Sequence, residues 1–97
     1  MKTLADIKRR CVTGVKLKMT FHIFDAPKIV GIVRPISVVK SNEIGLQMPD
    51  GRPSFLTWPK AAWVRVTGPD SFDILMGDDA YRNYKPEDVF MSYEFVD

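Results

Sequence analysis

The feature that most constrains the fold is a strict two-residue alternation between Val15 and Ile23. The apolar positions are Val15, Leu17, Met19, Phe21 and Ile23, and the polar ones are Lys16, Lys18, Thr20 and His22. Successive side chains of a β-strand point to opposite faces, so the pattern predicts a strand with its odd positions buried. Lys16, Lys18 and Thr20 are expected to be exposed. A strand with one apolar face needs partner strands to cover it, which favours a β-rich domain.

The rest of the chain is divided into short apolar segments by single turn residues. Six glycines and seven prolines are spread through 97 residues, a distribution typical of short strands joined by tight turns. Further strands are predicted over 29–34, 36–40, 43–48, 54–58, 63–66, 72–76 and 90–96. Gly31 predicts a sharp bend, and Pro35, which has no N–H to donate, predicts a bulge or an edge. A single helical turn is expected at 60–62, and the polar stretch 77–88 is left unassigned.

One short helix is predicted at the N-terminus. Thr3 and Asp6 have the spacing of a capping box, in which each side chain accepts a hydrogen bond from a free amide of the first turn. Leu4, Ile7 and Cys11 recur at helical spacing, and Gly14 suits the left-handed conformation after a helix. The pattern predicts a helix over residues 3–11 with a buried stripe that includes Cys11.

These elements indicate one domain over residues 1–97, of the mainly β class. Short strands without crossover helices exclude a parallel sheet, and a small sheet hides its edges best by closing. We therefore expect an SH3-like small barrel with a short N-terminal helix and a C-terminal strand extension. Residues 1–13 would form the helix, 14–76 the barrel and 77–97 an acidic and aromatic extension.

Few residues are suited to catalysis. His22 is the one histidine and Cys11 the one cysteine, and their spacing does not predict a nucleophile–base pair. Turn and capping roles are expected for Asp70, Asp73, Asp78 and Asp79, because no calcium-loop spacing connects them. Glycine-rich phosphate loops and zinc-type cysteine or histidine pairs are absent from the sequence. We expect a protein that is not an enzyme and has no cofactor, no metal and no catalytic residues.

Charge is distributed unevenly along the chain. Residues 1–69 carry a net charge of +8 and residues 70–97 a net charge of −6, which together give the overall +2. A nucleic-acid-binding face is one interpretation of the basic part, and a solvated basic surface is the other. The residues that would form such a face are Lys8, Arg9, Arg10, Lys16 and Lys18. Sequestration of a small nucleotide signal by a basic pocket also stays open.

Aromatic residues are frequent near acidic ones, which suggests a protein-binding surface. Tyrosine and tryptophan are common anchors of interfaces, and carboxylates attract basic partners. The candidate protein-binding residues are Tyr81, Tyr84, Asp78, Asp79, Trp58 and Trp63. The alternative is that the two tryptophans close the floor of the barrel and that the two tyrosines pack beneath a final strand.

The stretch Ser54 to Ala61, SFLTWPKA, with the hairpin segment Val38 to Asn42, resembles a motif of small bacteriophage and prophage accessory proteins. The resemblance covers about residues 1–76 and transfers no catalytic residue. It implies a viral or mobile-element protein that binds a host protein stoichiometrically, for example as a host-defence antagonist of the anti-CRISPR type. The partner would be a host protein, and a nucleic-acid-handling complex is one candidate. With no signal-peptide pattern and no apolar stretch of membrane length, we expect a cytoplasmic location in the host bacterium and no membrane contact.

Overall fold

The computed structural model describes residues 1–22 and 30–96 and contains one antiparallel sheet of seven strands. The elements are helix α1 (Leu4–Arg10), strands β1 (Lys16–Phe21), β2 (Val30–Val39), β3 (Glu43–Gln47), β4 (Pro53–Thr57), β5 (Val64–Val66), β6 (Ser71–Leu75) and β7 (Val89–Val96), and two 3₁₀ turns, Ala61–Trp63 and Gly77–Asp79. The strand order is β4-β3-β2-β1-β7-β6-β5. The mainly β class, the N-terminal helix and the C-terminal strand are thus confirmed.

The sheet curls strongly but does not close. In a flat sheet β4 and β6 would lie about 24 Å apart, since neighbouring strands are spaced by about 4.8 Å. Trp58, directly after β4, nevertheless has its ring centroid 6.1 Å from that of Phe72 in β6. Among the described residues no ladder joins β4 to β5, so the predicted barrel is open along this seam. Residues 58–63 connect the two edges through Pro59 and a 3₁₀ turn, neither of which extends a strand ladder.

Strand β1 has the predicted alternation. Leu17 and Met19 are buried, whereas Lys16 and Lys18 are exposed. Thr20 was expected to be exposed and is half-buried, because its Oγ1 accepts a hydrogen bond from the Gly31 amide at 3.2 Å. Val15 and Phe21 are half-buried, and the Ile23 prediction lies outside the described residues.

The two strands predicted on either side of Pro35 form one continuous strand, β2. Pro35 lies opposite Lys16, and its missing N–H breaks no ladder because the pairing of β2 with β3 begins only at Ile36. The Ile36 amide donates to the Val15 carbonyl, and the Ile36 carbonyl accepts from Gly14, both at 2.8 Å. The bend expected at Gly31 is present, with φ at 67° and a register shift against β1.

Helix α1 covers one end of the curled sheet, which we call the capped end. Both halves of the predicted capping box between Thr3 and Asp6 are formed, and Ile7 and Cys11 are buried in the core. The helix also reaches turns on both halves of the sheet. Lys8 Nζ lies 3.5 Å from the Ser41 carbonyl in the β2–β3 turn, and Arg10 Nη1 donates to the Pro69 carbonyl in the β5–β6 turn at 3.0 Å.

The core beneath the helix is built mainly from aromatic and branched side chains. Phe72 is at its centre and stacks on Tyr93 with ring centroids 5.1 Å apart. The buried apolar members are Ile7, Cys11, Leu17, Met19, Ile36, Ile44, Leu46, Trp58, Phe72, Ile74, Tyr93 and Phe95. No helix within the described ranges is long and apolar enough to cross a membrane.

Candidate protein-binding surface

The predicted acidic and aromatic extension divides into two parts. Strand β7 is the central neighbour of both β1 and β6, so it belongs to the sheet itself and does not extend it. Burial raises the pKa of the Tyr93 hydroxyl to about 12, and Phe95 is likewise a core residue. Residues 77–88, which we call the acidic loop, lie outside the sheet between β6 and β7.

Backbone hydrogen bonds tie the two ends of the acidic loop together. The Met76 amide donates to the Asp88 carbonyl and the Gly77 amide to the Pro86 carbonyl, each at 2.8 Å. Gly77 has φ at 66°, and a Cβ placed there would lie 2.9 Å from the Trp63 ring. Only glycine allows this close approach, so the loop is anchored on the tryptophan.

The acidic loop presents most of the predicted binding residues to solvent. Tyr81 is 45% exposed, and the Arg82 guanidinium lies 5.1 Å from its ring centroid. Asp79 is exposed, and Asp78 forms an ion pair with Lys60 at 3.2 Å. Tyr84 is half-buried and its amide donates to the Tyr81 carbonyl.

The two tryptophans differ in their relation to this surface. Trp58 is only 6% exposed and packs on Phe72, so it is a core residue rather than a surface anchor. Trp63 is half-buried under Gly77, and its Nε1 has no hydrogen-bond partner among the described residues. Trp58 therefore has a packing role in the core, whereas Trp63 supports the acidic loop from beneath.

The end of the sheet opposite α1, which we call the open end, contains an apolar groove of about 460 Å³. Its lining residues are Met19, Phe21, Leu46, Met48, Ser54, Phe55, Leu56, Thr57, Ile74, Phe90, Met91 and Tyr93. Three of the five methionines of the chain are in this set, and methionine side chains adapt readily to different partners. The acidic loop leaves β6 just after Ile74 and enters β7 just before Phe90, so it stands at the same end as the groove.

The predicted basic residues are only partly brought together. Arg9, Arg10 and Lys16 line one cavity of about 730 Å³ at the capped end. Arg10 pairs with Asp70 at 2.9 Å and lies 4.2 Å from the Phe95 ring centroid. Arg9 pairs with Asp6, and Lys8 points toward the β2–β3 turn. Lys18 lies on the same outer face of β1 as Lys16, across from Glu94, but it does not line this cavity.

A polar chain across the outer face of the sheet was missed by the sequence analysis. Asp73 was expected in a turn or cap, but it lies in the middle of β6 and is buried. Its two oxygens accept hydrogen bonds from Ser92 Oγ at 2.7 Å and from Arg65 Nη2 at 3.2 Å. His22 Nε2 lies 2.8 Å from Ser92 Oγ.

The proton positions in this hydrogen-bond network can be assigned from the groups that take part in it. A carboxylate only accepts, so Ser92 gives its one proton to Asp73 and His22 Nε2 donates to Ser92. The serine is therefore not poised to give its proton to the histidine, as a nucleophile–base pair requires. Strand β7 is also paired on both sides, which leaves its backbone amides engaged in the ladder rather than aimed at an oxyanion. The hydrogen-bond network therefore has a structural role: it links β1, β7, β6 and β5.

Other reactive groups do not assemble into a site. Burial raises the pKa of the Cys11 thiol to about 12, which makes it a poor nucleophile or metal ligand. Within residues 1–22 and 30–96, no group of histidine, cysteine and carboxylate side chains is placed to hold a metal ion.

Comparisons with known proteins give no relative: no family model, no curated protein and no solved structure matches the chain.

Proposed function

We propose that this chain is a non-enzymatic binding module that acts stoichiometrically on a partner protein. The observation that carries the proposal is the apolar groove at the open end, with the acidic loop beside it. Concave apolar surfaces bordered by polar groups are typical of binding sites, and anchored aromatic residues such as Tyr81 supply burial.

The charge of the acidic loop favours a basic partner surface. Asp78, Asp79, Glu87 and Asp88 outnumber Arg82 and Lys85. Opposite charge on the partner would accelerate encounter, and desolvation of Tyr81 would hold the complex. Surfaces rich in arginine and lysine are common on proteins that handle nucleic acids, which places such proteins among the candidate partners.

The biological setting follows from the resemblance to phage accessory proteins. The SFLTWPKA stretch supports a phage or mobile-element protein acting in the cytoplasm of the host bacterium. Stoichiometric binding to a host protein, as by a host-defence antagonist of the anti-CRISPR type, is the role that fits a small module with one binding surface.

The test is partner capture from host lysate followed by measurement of the stoichiometry of the purified complex. Asp79→Lys together with Tyr81→Ala should weaken the complex by at least about tenfold, since interface anchors carry about 2 kcal/mol or more. Glu94→Lys is the matched control, because it makes the same charge change on the outer face of the sheet. Equal affinities for the loop variant and the control would remove the acidic loop from the interface.

A nucleic-acid-binding barrel is the second candidate. The clustering of Arg9, Arg10 and Lys16 around one cavity favours it, whereas the ion pairs with Asp6 and Asp70 offset two of these three charges. Titration with single- and double-stranded oligonucleotides at low and physiological salt tests it. Sub-micromolar binding that survives physiological salt and is lost in Lys16→Glu would favour this second function.

A further inference from the structure

The outer edge of strand β4 has backbone groups that no other strand uses. The Trp58 amide donates to the Asn42 carbonyl at 2.8 Å, which fixes the phase of the β3–β4 ladder. Along an antiparallel strand, every second residue forms backbone hydrogen bonds to a given neighbouring strand, and the residues between them point their N–H and C=O groups to the other side. Ser54, Leu56 and Trp58 therefore bond to β3, and the N–H and C=O groups of Phe55 and Thr57 point to the free edge. Within the described ranges no strand pairs with this edge.

The two edges of the sheet are protected to different extents. Strand β5 has only three residues, and its central Arg65 is held by Asp73 at 3.2 Å. Strand β4 has five residues, four of which are exposed, and Phe55 is 46% exposed. Natural edge strands are usually protected by shortness, proline, charge or a covering segment. In β4, Pro53 protects the first residue and Lys40 Nζ lies 5.2 Å from the Phe55 ring centroid, but the backbone edge of Phe55 and Thr57 stays unpaired among the described residues.

The apolar groove continues directly from this free edge. Residues 54–57 of β4 line the groove together with Ile74 from β6 and Met91 from β7. A strand added beside β4 would point every second side chain into the groove. It would cover the half-buried Leu56 and Met91 and would fill the seam where the sheet fails to close.

The surroundings of the edge select the charge of such a strand. Every strand pair of the sheet is antiparallel, and β4 runs from the open end to the capped end. An antiparallel addition would therefore finish at the open end, where the acidic loop stands. The nearby β3–β4 turn contributes one carboxylate, Asp50, and one cation, Arg52. Lys60 offsets only Asp78, so among the described residues the acidic loop gives this end a net negative charge.

We propose that β4 is a docking edge that completes the sheet with an extended segment of the partner protein. The segment has alternating apolar residues followed, at its carboxyl end, by lysine or arginine that faces the acidic loop. The inference rests on the proposed protein-binding function and specifies how the partner is held.

A synthetic peptide tests the docking mode without the natural partner. The probe is a short peptide of alternating valine and threonine ending in lysine and arginine, titrated into the full chain labelled with ¹⁵N. Saturable binding should slow hydrogen exchange at the Phe55 and Thr57 amides and leave the Ser54 and Leu56 amides unchanged, since those already bond to β3. A peptide ending in glutamates should bind at least about tenfold more weakly, through repulsion by the loop.

Two variants separate strand addition from other modes of binding. Thr57→Pro removes the outward-facing amide without removing a backbone bond to β3 and should abolish peptide binding, whereas Thr57→Val keeps that amide and should retain binding. Both variants lose the bond from Thr57 Oγ1 to Glu43 Oε2 at 3.4 Å, so the difference between them reports on the amide alone. No saturable binding at millimolar peptide, or binding without protection of Phe55 and Thr57, would overturn the proposal.

The outcomes also separate this inference from the proposed function. A natural partner that binds the acidic loop and is insensitive to Thr57→Pro would leave the protein-binding function intact and exclude the docking edge. Self-association of the free chain that is lost in Thr57→Pro would show that a second copy, rather than a partner segment, occupies the edge. Sedimentation of the free chain across a range of concentrations measures this.

Discussion

The two ends of the curled sheet are finished in different ways. At the capped end, α1 buries Ile7 and Cys11 completely against the core, and Arg10 stacks on Phe95 at 4.2 Å. At the open end no helix of the described residues covers the sheet, and Phe21 and Phe90 meet edge-to-face with centroids 5.4 Å apart while both stay half-buried.

The difference shows that a small domain can bury apolar surface fully at one end and only partly at the other. A domain of this size buries only about 60–70% of its unfolded surface, so apolar side chains at one mouth of a sheet can remain partly solvated. The capped end is built for stability, through burial and hydrogen bonds to turns on both halves. The open end keeps apolar area, three methionines and a free strand edge, which are properties of a binding surface.

The largest expected effect compares one phenylalanine from each end. Phe72→Ala, in the core beneath the helix, should cost about 3–5 kcal/mol of unfolding free energy, as large cavities do. Phe90→Ala should cost about 1–2 kcal/mol, because the ring is already partly in water. Urea denaturation of both variants measures the two values. Equal losses would mean that the open end is packed as tightly as the capped end.

The second prediction compares glycines with left-handed backbone at the two ends. Gly77→Ala and Gly14→Ala each place a Cβ on a residue with positive φ, at a cost of about 1–2 kcal/mol. At Gly77 the new Cβ also meets the Trp63 ring at 2.9 Å, whereas at Gly14 it meets nothing within 4 Å. Overpacking should therefore add about 1–3 kcal/mol at Gly77 only. Thermal melts of both variants test whether the acidic loop is anchored on Trp63 as described.

Local patterns predicted the elements well where one segment determines its own structure. The alternation of Leu17 and Met19 with Lys16 and Lys18 placed β1, and the Thr3–Asp6 spacing placed the helix start. Both patterns depend only on residues close together in sequence: the strand alternation shows which face is apolar, and the capping box shows which helix amides need a partner.

Features that depend on distant pairings were not predictable in this way. Strand β7 was expected as an extension, but its central place depends on the pairing of Lys16 with Val96, which leaves no local trace. Asp73 follows a Gly-Pro-Asp turn and was expected to share its role, but Arg65 and Ser92 from neighbouring strands make it a buried mid-strand residue. The groove combines residues of five strands, which only the curled sheet brings together.

The third prediction tests whether the capped end depends on the helix cap. A helix of seven residues is unstable on its own, so α1 relies on packing and on its capping box. Thr3→Ala should destabilise the chain by about 1 kcal/mol, as loss of an N-cap does. Thr13→Ala, an exposed threonine after the helix, is the control and should change stability by less than about 0.5 kcal/mol. Equal values for the two variants would show that the cap contributes nothing to the capped end.

The smallest expected effect concerns acid stability of the same cap. Hydrogen bonds from the backbone amide of Lys2 and then of Thr3, with the nearby Arg9 guanidinium, hold the pKa of the Asp6 carboxyl below its ordinary value. Because the folded state binds this proton more weakly than the unfolded state, Asp6 stabilises the fold above about pH 4 and loses that contribution as pH falls through its folded pKa. Asp6→Asn should therefore be less stable than the natural chain at pH 7, and the difference should shrink below about pH 4. Asp79→Asn makes the same charge change in the acidic loop at the open end and controls for general charge effects. Urea midpoints between neutral pH and pH 3 measure both differences, and a gap for Asp6→Asn that stays constant with pH would contradict the assigned role of this carboxylate.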